Sequence, residues 1–159
     1  MLAGGHRTAA TAVAIDLAAK AASEARLADS TFDLGLLQLR LVYNSGVAFS
    51  MGNRLPVGVI VAITAAVTVA LAAYAWRRAP VLDGVERIAG GAVIGGAAGN
   101  VIDNAHDGMV TDYLATGWWP TFNLADTFLV TGMLILTLAH ATTADETGHQ
   151  ASTRVNTSV

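Results

Sequence analysis

Charge is what this sequence has least of: 13% of its residues are Asp, Glu, Lys or Arg, where a soluble domain carries about 25%. With 53% hydrophobic residues and a mean hydropathy of +0.51, the chain reads as an integral membrane protein. Cysteine is absent, which rules out disulfides, thiolate catalysis and cysteine-built metal sites. The nine Lys and Arg residues stand singly or in one pair within a net charge of −3, so no basic groove awaits a nucleic acid. His6, His106, His140 and His149 fall at unrelated spacings with no HExxH pair, which argues against a zinc peptidase. Neither a metal nor a cofactor is expected.

What is present is material for membrane helices. Four helices of about 20 residues would use half of the 159 residues, so residues 1–141 are expected to form one four-helix transmembrane domain, and residues 142–159 a disordered polar tail. The clearest span is VGVIVAITAAVTVALAAYAW, residues 57–76, uncharged throughout and opened by Pro56. Arg77 and Arg78 follow it and, with Arg87, belong in the cytoplasm by the positive-inside tendency. Residues 88–102 then climb outward; they are short for a span, but Gly91, Gly95 and Gly99 recur every fourth position and leave one face bare for close helix packing. Trp118 and Trp119 suit an interfacial belt, and residues 123–141 return inward.

The first helix, residues 8–22, is alanine-rich with Asp16 and Lys20 inside it. Asp16 interrupts the apolar run too early for a signal peptide, so this segment is read as a first span running outward. Between residues 28 and 55 the pattern changes: LLQLRLVYN alternates apolar and polar side chains as a half-buried strand does, with Gly35, Gly46 and Gly52 at its bends. The expected fold is therefore an all-α membrane protein, four transmembrane helices with a small extracytoplasmic β element at about residues 28–55. Both termini are cytoplasmic; Arg7, Arg77, Arg78, Arg87 and Arg154 then lie inside, and Arg26, Arg40 and Arg54 outside.

Against this apolar background AAGNVIDNAHDGMVTDYL, residues 97–114, collects Asn100, Asp103, Asp107 and Asp112. Asn100 precedes Asp103 by three residues and Asn123 precedes Asp126 by three, so each Asn shares a helix face with its acid at the outer ends of antiparallel neighbours. One reading of the second pair is purely structural, Asn123 as N-cap and Asp126 in the first turn. The other is functional: two facing carboxylates sharing a proton are the unit of an aspartic protease, one taking a proton from water and the other donating to the scissile carbonyl. An acid at the C-terminal end of a helix near the membrane opposes the dipole and is costly to keep charged, so Asp103 in particular asks for a partner. Asp16 and Lys20 likewise read either as an ion pair one turn apart or as support for the site. Asp107, before Gly108, reads as a solvated turn residue. Intramembrane carboxylates also relay protons in transporters, but a transporter should hold them near the midplane and often shows repeated halves.

Four segments in order, covering residues 16–131, resemble the lipoprotein signal peptidases, the bacterial membrane aspartic proteases also called signal peptidase II. DLAAK (16–20) resembles the family's DQ-x-x-K, YNSGVAFSMG (43–52) its N-x-G-A-A-F, GGAVIGGAAGNVIDNAHDGMVTDYL (90–114) its G-N-x-x-D-R and following V-V-D-F, and FNLAD (122–126) its F-N-x-A-D. The resemblance implies a catalytic pair at Asp103 and Asp126, with Asn100, Asn123 and Ala125 around them, Asn44 beside the substrate channel, Asp16 and Lys20 as the first-helix pair, and Asp112 as a further acid that orders its loop. It implies cleavage of diacylglyceryl-modified prolipoproteins before the lipidated cysteine, by a multi-pass protein of the cytoplasmic membrane, expected as a monomer among membrane lipid, with its active site near the outer leaflet. Two positions depart from the family pattern: Asn104 replaces the Arg after the acid, and Leu17 the Gln after Asp16. The lost Arg leaves open a non-catalytic paralogue that binds lipoproteins without cutting them.

Overall fold

The computed structural model of the protein describes residues 3–44, 56–78 and 82–156, from residue 142 onward as backbone only. Its elements are α1 (Ala3–Leu27), β1 (Phe32–Asp33), β2 (Gln38–Asn44), α2 (Val57–Arg78), α3 (Gly84–Asp107), β3 (Val110–Ala115) and α4 (Leu124–Asn156).

α3 is the central helix, with α1, α2 and α4 packed around it. It begins at a reciprocal capping box: Asp83 Oδ1 accepts the Glu86 N–H at 2.7 Å, and Glu86 Oε2 accepts the Asp83 N–H at 3.0 Å. It ends at Gly108, whose left-handed backbone (φ 85) turns its N–H back onto the Asn104 carbonyl at 2.9 Å. These caps lengthen the helix at both ends beyond the expected 88–102, so Asp103 lies one turn inside it rather than closing it.

The glycine stripe does what its spacing predicts. A Cβ on Gly95 would lie 2.6 Å from the Ala9 carbonyl oxygen and 2.7 Å from Ala12 Cβ, so only glycine lets α1 come this close. The α4 seam uses the same device: a Cβ on Gly132 would lie 2.6 Å from the Ala89 carbonyl oxygen, and Gly96 lies against the Ala125 backbone.

Among the described residues, two helices are long and apolar enough to cross a bilayer, in the windows Gly58–Ala75 and Leu124–Ala141. Only 6% and 11% of those windows are buried within the protein, so these are not core helices of a soluble fold, and their apolar faces need an apolar solvent. α4 continues past the expected boundary at 141; residues 142–156 contain no proline and one glycine, Gly148, so nothing in them breaks the helix.

The β element is a three-stranded antiparallel sheet in the order β1-β2-β3. The alternating segment forms β2 as predicted, and Gly35 (φ 89) lies in the turn from β1. The third strand comes from elsewhere, after α3, where a loop was expected. It pairs Val42 with Asp112, Tyr43 with Thr111 and Asn44 with Val110, with a register irregularity between Leu39 and Val42. A bridge from Leu114 to Phe122 carries the ladder on toward the start of α4. Most of the expected N-x-G-A-A-F segment, including Gly46 and Gly52, lies outside the described residues.

Candidate active site

α1 is alanine-rich, yet Asp16, Lys20 and Glu24 follow one another at four-residue spacing along one face, whose first two members turn into the protein while Glu24 stays exposed. Asp16 is fully buried and Lys20 is 2% exposed. Charges so enclosed need partners, and each has them. Lys20 Nζ lies 3.0 Å from Asp16 Oδ2, 3.1 Å from Asp103 Oδ2 and 2.7 Å from Asn100 Oδ1. Asp16 Oδ1 accepts the N–H of Ala125, in the first turn of α4, at 2.9 Å. Room for that carboxylate is left by Gly99, where a Cβ would lie 2.6 Å from Asp16 Oδ2.

At the start of α4 the structural reading of the second motif is realised in full. Asn123 Oδ1 accepts the Asp126 N–H at 3.0 Å, and Asp126 Oδ2 accepts the Asn123 N–H at 3.2 Å, a capping box with Asp in place of Glu. The cap leaves Asp126 Oδ1 to Asn100, whose Nδ2 donates to it at 2.8 Å. Asn100 and Asn123 are joined as well, at 3.1 Å. Capping and site-building are thus the same contacts.

Asp112 enters this cluster from β3. It is 2% exposed; Asn123 Nδ2 donates to its Oδ1 at 2.7 Å, and Asn44 Nδ2, from β2, donates to its Oδ2. Burial, and after it the charge of Asp126, push Asp112 up from an ordinary 3.8 to about 7, against the pull of the two Asn amides and Lys20. Asn123 therefore touches both Asp112 and Asp126. Asp103 is held differently: its Oδ2 receives the Thr111 N–H at 2.8 Å and faces the Lys20 ammonium, so Lys20 and Asn100 stand between it and Asp126.

All nine residues expected from sequence, Asp16, Lys20, Asn44, Asn100, Asp103, Asp112, Asn123, Ala125 and Asp126, thus fall in one connected network. Ala125, fully buried, contributes its backbone rather than its methyl group. Asp107 stays outside the network; its Oδ1 accepts the Met109 N–H at 3.0 Å in an exposed turn. Three contributors, Thr111, Glu24 and Tyr113, lie outside the expected set. Thr111 donates its N–H to Asp103 and its hydroxyl to Glu24 at 3.0 Å, and Glu24 thereby ties α1 to the sheet. The four-residue charge spacing on α1 was the available signal for Glu24. Tyr113, pushed up to about 12 by burial, keeps its proton and accepts the Leu124 N–H at 3.3 Å.

The position that departs from the family pattern is also instructive. Asn104 is buried, and the cation beside Asp103 is Lys20, which the first-helix motif supplies. Chemically the site offers several carboxylates on a polar face at the end of an apolar bundle, one of them raised toward neutrality beside another. That is the arrangement of acid and base that peptide hydrolysis by carboxylates needs.

Comparison with known proteins agrees. Residues 8–142 match the family described as Signal peptidase (SPase) II. A lipoprotein signal peptidase of Syntrophomonas wolfei is 40% identical over 64% of this chain and 66% of its own length, and one of Dehalococcoides mccartyi is 36% identical over 72% of each. A solved bacterial membrane enzyme, determined by the in meso method at 2.3 Å resolution, shares the fold with a TM-score of 0.73 over 89% of this chain and 90% of its own, at 23% identity. With the family match running through every element that builds the acidic cluster, the chain belongs to the signal peptidase II family of membrane aspartic peptidases.

Proposed function

We propose that the chain removes signal peptides from diacylglyceryl-modified prolipoproteins, cutting before the lipidated cysteine, with Asp112 and Asp126 as its acid pair. The observation that carries this pairing is Asn123, whose side chain binds Asp112 and whose backbone N–H binds Asp126. Asp112, raised to about 7, is the proton donor to the scissile carbonyl oxygen. Asp126, its two oxygens oriented by Asn100 and Asn123, takes the proton from the attacking water. Asp103, the partner expected from sequence, becomes a positioning residue: with Lys20 it fixes Thr111 and Asn100, the neighbours of the pair. Lys20, the lysine of the first-helix motif, keeps a cation beside Asp103 although Asn104 brings none.

In this reading all four helices cross the cytoplasmic membrane, with both termini inside. α3, enclosed by its neighbours, need not be apolar all round. The sheet and the acids lie at the outer leaflet, where a lipid-anchored substrate presents its peptide bond and water is at hand. The chain works as a monomer surrounded by lipid. Purified protein in detergent should release the signal peptide from a diacylglyceryl-modified prolipoprotein, and its Asp126→Asn variant should not. Binding of that substrate without cleavage by the wild type would overturn the enzymatic reading.

A further inference from the structure

A cleft lies toward the end of the bundle away from the cluster of Asp112 and Asp126. α2 and α4 pack on different sides of α3 and make no extensive contact with each other. The gap between them, about 420 Å³, is walled by Leu71, Val93, Met133 and Leu136, with Arg78 and His140 at its rim. Gly90 forms part of its floor: a Cβ there would meet nothing within 4 Å, unlike those on Gly91 and Gly95. Gly90 lies about 15 Å along α3 from Asn100, so cleft and acid site are separate.

An apolar gap of this size, left empty, forfeits the dispersion contacts of its walls, and in a membrane the groups at hand to fill it are lipid chains. The rim selects among lipids. Arg77 and Arg78 end α2, while of the nearby acids Asp83 caps α3 and Glu86, its capping-box partner, also lies 3.9 Å from Nδ1 of the rim residue His140. Because Arg78 lines the cleft and Glu86 lies on the His140 side, the group at the rim that faces an anion is Arg78. It disfavours the other long apolar occupant, a signal-peptide helix, whose leading segment is basic.

We propose that this cleft holds an acyl chain of an anionic phospholipid, with the lipid phosphate at Arg78, making the bound lipid a wedge between α2 and α4. The proposal goes beyond the proteolytic reading and is tested without reference to cleavage. Full-length protein in detergent is offered phosphatidylglycerol or phosphatidylcholine, and retained lipid is counted by native mass spectrometry. Wild type should retain phosphatidylglycerol roughly fivefold better, the effect of one basic side chain at a lipid surface. Arg78→Gln should abolish that preference while leaving basal retention. Gly90→Leu, whose side chain enters open space, should lower retention of both lipids severalfold. Equal retention of the two lipids by wild type would overturn the proposal, as would unchanged phosphatidylglycerol retention in both variants. Displacement of phosphatidylglycerol by a synthetic signal-peptide helix would assign the cleft to peptide instead, and overturn it equally.

Discussion

Asp112 is the residue at which protonation and stability meet, and in the proposed pairing chemistry joins them. Its proton is held from 3.8 up to about 7, so the folded state binds a proton that the unfolded chain releases over that interval. The stabilising contribution is therefore complete below about pH 4 and is lost as pH rises through about 7. Thermal unfolding in detergent should show the wild type losing stability across that window relative to Asp112→Asn, whose amide mimics the protonated acid and does not titrate. Cleavage should fall on the alkaline side with a midpoint near 7, a value belonging to the coupled pair rather than to one acid. Substitution separates the roles of the three acids. Asp112→Asn and Asp126→Asn should each lower kcat by roughly a thousandfold, the scale of a lost general acid or base. Asp103→Asn, acting through Lys20 and Thr111, should cost roughly tenfold to a hundredfold, as misplacement does. Kinetics in which Asp103→Asn is inert and Asp112→Asn remains active would return the pairing to Asp103 and Asp126.

At the scale of elements, the seam between α1 and α3 is the feature whose sequence signal was most direct. Gly91, Gly95 and Gly99 predict close approach, and the structure brings Gly5, Ala9 and Asp16 against them in turn. Gly95→Leu should destabilise by about 1–3 kcal/mol or more, since the atoms it strikes include backbone. Gly99→Leu should add a loss of activity, because it displaces the carboxylate that holds Ala125. A thermal scan of both variants alongside a cleavage assay separates the two effects; Gly99→Leu with wild-type turnover would show that Asp16 does not govern the site. β3 was illegible for a physical reason. V-T-D-Y-L is short and carries an acid, and its strand character comes from pairing with β2 and from the bridge to Phe122, neither of which a local pattern records. The same strand decides which acid meets Asn123. The N-x-x-D spacings located the cluster, whereas the contact of Asp112 with Asn123 depends on a register seventy residues apart in the chain, Val42 against Asp112.

For the whole molecule, the apolar faces of α2 and α4 and the sheet with its acidic cluster at one end define an orientation that can be read chemically, because the chain contains no cysteine. A single cysteine at Leu36, 95% exposed in the turn between β1 and β2, should react with a membrane-impermeant maleimide in right-side-out vesicles. One at Arg77 should react only after permeabilisation. The reverse pattern would turn the acids toward the cytoplasm. Timing of assembly follows from the way the site is gathered. Asp16 binds the N–H of Ala125 across 109 positions of sequence, β2 waits for β3, and Asn100 waits for Asp126. A chain emerging from the ribosome at about 5–20 residues per second completes its first three helices before the contacts to α4 can close. The nascent protease is therefore chemically silent until the start of its last helix arrives, and precursors beside it in the membrane are safe from a half-made enzyme.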